Sequence, residues 1–173
     1  MKTLIIYASQ TGFTKRYAKW ISEKLHADLW TADELKKKPD DCFEPYDEII
    51  YGGWASMGKV VKSDLFYEKA RKNKDKKLGV FCVGAATEDE PNMKESMKKI
   101  VPEDLTDNVK TFYCPGGLNY EKMNLSGKLM MKAYAAMLKK DEEHKELGKM
   151  LAHSFDISDK KYIEPILEWA NKE

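Results

Sequence analysis

The stretch TLIIYASQTGFT, residues 3–14, decides the fold. Its first part, Thr3 to Ala8, is an unbroken apolar run with β-branched side chains, the pattern of a parallel strand covered on both faces. From Thr11 onward the period changes. Phe13, Tyr17, Trp20, Ile21 and Leu25 recur at three and four and share one face of a helix. Between strand and helix lie Ser9, Gln10, Thr11, Gly12, Phe13 and Thr14. A turn at that place gathers several backbone N–H groups and the positive end of the helix dipole into one small space, which suits an anion. The hydroxyls of Ser9, Thr11 and Thr14 can donate to phosphate oxygens, and Gly12 lets the chain approach without a Cβ in the way. A helix cap needs one hydroxyl and this loop has three, so the segment reads as a monophosphate cradle. Neither G-x-G-x-x-G nor G-x-x-x-x-G-K-[ST] is present, which disfavours a dinucleotide site and a nucleoside triphosphatase.

Beyond this segment, strands and helices alternate. Asp28, Leu29 and Trp30 form a short second strand, and Thr31 with Glu34 makes a capping box for a brief helix stopped by Pro39, Asp40 and Asp41. EIIYGG (48–53) is a third strand, followed by a helix over about 63–72 and a lysine-dense turn, 71–77, expected to be a solvated connection. LGVFCVG (78–84) is a fourth strand. Glu90 and Pro91 open another helix with Met93, Met97, Ile100 and Val101 on its inner face, and VKTFYC (109–114) is a fifth strand. Pro115, Gly116 and Gly117 end it, and about forty residues pass before a final helix near 162–170. The expected architecture is α/β: one domain over 1–173, a doubly wound five-stranded parallel sheet, and a helical insertion at about 117–155.

With 42% hydrophobic and 34% charged residues, the 173-residue chain suits a soluble globular domain rather than a disordered segment or a membrane bundle. A net charge of +1 supplies no global field for nucleic acid. Cys42, Cys82 and Cys114 show no metal spacing and read as reduced thiols, which points to the cytoplasm. His26, His144 and His153 are scattered, so no metal site and no catalytic triad or carboxylate pair is expected.

Ser9 to Thr14 matches the flavodoxin phosphate loop [ST]-x-T-G-x-T, and the expected order of elements is similar to the flavodoxin topology 2-1-3-4-5. The resemblance implies FMN as cofactor, its phosphate on Ser9, Gln10, Thr11, Gly12, Phe13 and Thr14. The ring would lie between a loop after the third strand (Trp54, Ala55, Ser56, Met57, Gly58, Lys59) and one after the fourth (Gly84, Ala85, Ala86, Thr87). Met57-Gly58-Lys59 resembles the Met-Gly-Asp turn of clostridial flavodoxins, in which the methionine packs on the isoalloxazine and the glycine peptide flips on reduction. Here Lys59 replaces the acid and, near the ring, would favour added negative charge. Flavodoxins commonly place Tyr or Trp in the second loop. This loop has neither, so Tyr113 or Tyr120 covers the ring, or the face stays open for an organic substrate.

Gly116-Gly117-Leu118-Asn119-Tyr120 and the amphipathic stretch after it resemble the flavodoxin-type protoporphyrinogen dehydrogenases, which carry a G-[AG]-L-x-Y turn and added helical residues at this location. Between residues 122 and 140 there are five lysines and no acid, and Leu125, Leu129, Met130, Ala133, Tyr134, Met137 and Leu138 can share a broad face. Packing over the sheet edge or beside the flavin is the expectation for that face. A substrate or partner surface, or an anionic membrane, is the alternative. The resemblance implies an FMN redox protein that exchanges electrons with a partner protein or small molecule. A second reading is an FMN-dependent dehydrogenase of the protoporphyrinogen-oxidising type that passes electrons to a quinone or other acceptor. A flavin-free binding module is a third, against which the intact hydroxyl loop argues.

Overall fold

The apolar β-branched runs become strands and the three-and-four periodic segments become helices. The computed structural model describes residues 1–56, 58–87, 89 and 93–172, and of Lys94 the backbone alone. In chain order the elements are β1 (Thr3–Tyr7), α1 (Phe13–Leu25), β2 (Asp28–Thr31), α2 (Ala32–Leu35), β3 (Glu48–Ser56), β4 (Lys59–Val60), α3 (Asp64–Arg71), β5 (Lys77–Gly84) and α4 (Met93–Lys99). They continue with β6 (Val109–Pro115), β7 (Gly117–Leu118), α5 (Leu125–Leu138), α6 (Lys145–Leu151), β8 (Phe155–Asp156) and α7 (Glu164–Ala170).

Five strands pair in the order β2-β1-β3-β5-β6, all parallel, which is the doubly wound flavodoxin-like order expected from the sequence. Alternation along the strands sends side chains to two cores. Ile5, Ile50, Phe81 and Phe112 meet Tyr17 and Ile21 of α1 and Ile166 of α7 on one face. Leu4, Ile49, Tyr51, Val80 and Cys82 meet Phe66 of α3 and Met97 of α4 on the other. Both faces are covered, which is why the strands carry continuous apolar runs.

The Thr31 capping box is present, its hydroxyl accepting from the Glu34 N–H at 3.1 Å while the Glu34 carboxylate accepts from the Thr31 N–H at 2.6 Å. Glu90 and Pro91, expected to open α4, lie outside the described residues.

Two features depart from the sequence reading. The third strand runs past Gly53 through Trp54, Ala55 and Ser56, then returns antiparallel as β4, with Ser56 opposite Lys59. Gly58 takes φ +75° at that turn, a region open to glycine and costly for other residues. The lysine-dense turn is also more than a solvated connection. Lys76 donates to the Tyr46 carbonyl at 2.7 Å, Lys77 to that of Ala170 at 3.1 Å, and Arg71 pairs with Asp104 at 2.7 Å.

The insertion forms a small body of its own. β7 and β8 pair antiparallel, and α5 lies on α6 around Leu118, Ala135, Leu138 and Leu151. The approach is close at Gly148, where a Cβ would stand 2.9 Å from the Ala135 carbonyl oxygen. The expected packing of α5 is corrected here. Of the broad apolar face, Leu138 is buried, whereas Leu125 is 83% and Leu129 70% exposed. The helix is apolar nearly all round, so periodicity does not select its inner side, and the small Ala135 allows the closer approach to α6. Among the described residues no helix is long and apolar enough to cross a membrane.

Candidate functional site

The strand order reverses between β1 and β3, so the loops leaving their carboxyl ends diverge to opposite faces and open a crevice. A cavity of about 560 Å³ occupies it. Gln10, Thr11, Phe13 and Thr14 form one wall, Trp54, Ala55 and Ser56 a second, and Val83, Gly84 and Ala85 a third. The insertion supplies a fourth wall through Leu118, Met123, Gly127, Met130, Met131 and Tyr134.

The first wall carries the donors that would suit an anion. Gly12 holds φ +104°, and nothing lies within 4 Å of where its Cβ would be, so the loop leaves a space beside its backbone. The Ser9 hydroxyl accepts from the Gly12 N–H at 3.2 Å and shapes the turn. Helix α1 starts with no side-chain cap and no acid in its first turn. Its leading amides, which no intrahelical carbonyl can reach, therefore present an uncompensated positive end. Thr14 is 2% exposed, and among the described residues neither its hydroxyl nor that of Thr11 makes a hydrogen bond. These residues fit a phosphate: amide and hydroxyl donors gather in one place without protein partners among the described residues. Ser9, Gln10 and Gly12 also border a neighbouring polar depression of about 330 Å³ with Lys15 and the Lys62–Asp33 pair. Arg16 is committed elsewhere, its Nη1 lying 2.5 Å from both Asp156 Oδ2 and Ser158 Oγ, where it ties α1 to β8.

The other expected residues divide. Trp54, Ala55, Ser56, Gly84 and Ala85 line the cavity, whereas Gly58, Lys59, Ala86, Thr87 and Tyr120 stand outside its lining. Met57 lies outside the described residues. Tyr113 sits behind the second loop, its hydroxyl donating to the Ala86 carbonyl at 2.8 Å. Tyr120 is part of the insertion core and donates to the Leu151 carbonyl at 2.6 Å. Neither covers the cavity. The aromatic residue that reaches it from the insertion is Tyr134, a member of the face expected to pack over the sheet edge or beside the flavin. Its spacing of four from Met130 and three from Met131 was the available signal, since such neighbours share a helix face.

Among the described residues the lining holds no Asp, Glu, His, Lys, Arg or Cys, so these walls offer binding and orientation. All three cysteines are buried, and burial pushes the Cys82 thiol up to about 12. No group of three or more metal-binding side chains gathers among the described residues.

The chain is similar to several known proteins. The chain is 29% identical over 149 residues to the flavodoxin-like domain-containing protein BilS of Clostridioides difficile (strain CD3), covering 83% of this chain and 79% of that protein. Flavodoxin 2 from Bacillus cereus superposes with a TM-score of 0.48 at 19% identity, over 88% of this chain and 98% of that one. A flavoprotein from Lactobacillus acidophilus NCFM, solved in complex with FMN, does so with a TM-score of 0.42 at 18% identity, over 66% and 91%. The flavodoxin domain profile matches residues 4–145, from the first strand into the insertion, and the chain belongs to the flavodoxin domain family.

Proposed function

We propose that this protein binds FMN in the crevice and works as a flavin redox protein. The observation that carries the reading is one continuous cavity with unpaired hydroxyls and helix amides at one end and apolar walls at the other, at the switch point of the sheet. That distribution matches a molecule with a phosphate tail and a flat aromatic head. Bound flavin supplies electron transfer between its oxidised and reduced forms. Thr11, Thr14 and the first amides of α1 hold the phosphate. Trp54 to Ser56 and Gly84 to Ala85 flank the ring, and their apolar surfaces keep water from it. Gly58, at the exposed turn beside Ser56, can reorient its peptide at low cost because its φ is already positive. Electrons come from or go to a redox partner protein or a small molecule such as a quinone.

A second reading, an FMN-dependent dehydrogenase of the protoporphyrinogen-oxidising type, draws on the fourth wall. Residues 84–87 bring no aromatic side chain to the cavity, and α5 closes it with methionines and Tyr134, leaving apolar room for an organic substrate. Anaerobic reductive titration of the FMN-loaded protein separates the readings. Uptake in two resolved one-electron stages supports a carrier. Uptake of an electron pair in one stage, with turnover of an organic hydride donor, supports the dehydrogenase. Failure to take up reducing equivalents reversibly would overturn both.

A further inference from the structure

Apart from Met1, the exposed large hydrophobic side chains of the described residues all sit on α5. Leu125 is 83% exposed, Leu129 70%, Met137 59%, Met130 55% and Tyr134 44%. At about 100° per residue these five, with Ala133 and Ala136, sweep one half of the helix, with Ser126 the single polar interruption. The opposite half, through Ala135 and Leu138, is spent on α6. A helix apolar nearly all round normally has both sides covered, and exposed apolar patches of this kind mark interaction sites.

Charge identifies the cover. Lys128 and Lys132 lie along one flank, Lys122 precedes the helix, and Lys139 and Lys140 follow it. Among the described residues none of these five ammoniums is ion-paired, whereas Lys145 and Lys149 of the next helix are matched by Glu142 at 3.2 Å and Glu146 at 2.6 Å. Of the nearby acids, Asp141 is engaged by His144 at 2.8 Å and Glu142 by Lys145, which leaves Glu121 and Glu143 against five cations. The surface is an apolar ridge with an unneutralised basic flank.

We propose that α5 docks this protein on an anionic lipid bilayer, the ridge entering the acyl boundary and the lysines meeting lipid phosphates. The helix is about 21 Å long and would lie flat, sunk roughly 5–10 Å into the interface. Lipid fits better than a second copy, since pairing two ridges would bring five lysines toward five. Lipid also requires no groove shaped to a convex helix. Met130 and Tyr134 belong both to the ridge and to the cavity wall, so docking turns the cavity mouth toward the bilayer. If the FMN reading holds, the flavin then meets electron donors or acceptors dissolved in lipid. The docking itself does not depend on that reading.

The test is co-sedimentation of the full chain with vesicles of phosphatidylcholine alone and of phosphatidylcholine with phosphatidylglycerol, at low and high salt, alongside circular dichroism. The wild type is expected to bind the anionic vesicles and to release with salt. The variant K128E/K132E should lose partition by about fivefold or more per charge. L125Q/L129Q, altered at positions outside the cavity lining, should also lose binding while keeping its fold. A wild type that stays in the supernatant with anionic vesicles at low salt overturns the proposal, as does L125Q/L129Q binding at the wild-type level. A concentration-dependent dimer abolished by L125Q/L129Q, without vesicle binding, would assign the ridge to a second copy instead. FMN affinity is measured separately, so failure of docking and failure of the flavin site are told apart.

Discussion

Thr14→Val keeps the shape of the side chain and removes one hydroxyl. Thr14 is 2% exposed, and its hydroxyl has no partner among the described residues, so the ligand-free protein loses no hydrogen bond and sheds a polar atom from a nearly buried place. Its stability should stay within about 1 kcal/mol of wild type or rise. With FMN the balance changes, because the hydroxyl is positioned to donate to a charged phosphate. A hydrogen bond to a charged group contributes roughly 1.5–3 kcal/mol, which converts to an affinity loss of about 10- to 150-fold. Thr11→Val should behave alike, and the double variant should lose FMN retention while keeping the fold. Urea denaturation of the apoprotein gives the first quantity, and quenching of FMN fluorescence gives the second. Riboflavin, which lacks the phosphate, should bind the variant and the wild type equally. Unchanged FMN affinity in Thr14→Val would refute the phosphate assignment. An equal loss for riboflavin would refute it too, since the effect would then be on the ring.

Three further outcomes follow from the packing. Glu48 is 1% exposed, with one carboxylate oxygen accepting from Thr3 at 3.0 Å and the other unpartnered, and desolvation raises its pKa against the opposing Thr3 bond and Lys77. A carboxyl raised on folding binds protons more tightly in the native state. Its contribution is therefore complete below its ordinary pKa and lost as pH climbs through the raised folded value. Glu48→Gln should flatten that fall in urea midpoints measured from acid to neutral pH. Lys69, 3% exposed, donates to the Pro39 carbonyl at 3.1 Å and to Asp40 Oδ1 at 3.1 Å, so Lys69→Met should destabilise by about 1–3 kcal/mol and loosen hydrogen exchange around 36–46. Tyr17 donates to the Pro115 carbonyl at 2.5 Å and accepts from the Asp159 N–H at 3.2 Å, joining α1 to the end of β6 and the approach to α7. Tyr17→Phe should lower the thermal midpoint, and an unchanged midpoint would show that these bonds have no net worth.

The parallel sheet was legible because each strand is an apolar run bounded by a change of period, as at Ala8 to Thr11. The turn after β1 was legible because the apolar run stops at Ala8 and a three-and-four period starts at Phe13. The β3–β4 hairpin was not, since Trp54, Ala55 and Ser56 carry no alternation to separate strand from loop. Their pairing is fixed by distant bonds, such as that of the Tyr51 hydroxyl to the Val61 carbonyl at 2.8 Å. The inner side of α5 was illegible for a different reason. With apolar residues on most of the circumference, the side that packs is chosen by the fit of Ala135 to Gly148, a tertiary matter. The sequence therefore offers Tyr113, Tyr120 or an open face at the ring and leaves Tyr134 on a broad apolar face, whereas Tyr134 lines the cavity and Tyr120 bonds within the insertion. The lysine turn at 71–77 carried a pattern of surface charge, and only the fold reveals which carbonyls its ammoniums reach.

In the proposed function the crevice takes FMN with the phosphate at residues 9–14. Titration of the apoprotein with FMN, and in parallel with riboflavin, tests it most directly. One FMN per chain is expected, bound far more tightly than riboflavin and displaced weakly by inorganic phosphate. Absence of FMN binding, or equal affinity for FMN and riboflavin, would contradict it.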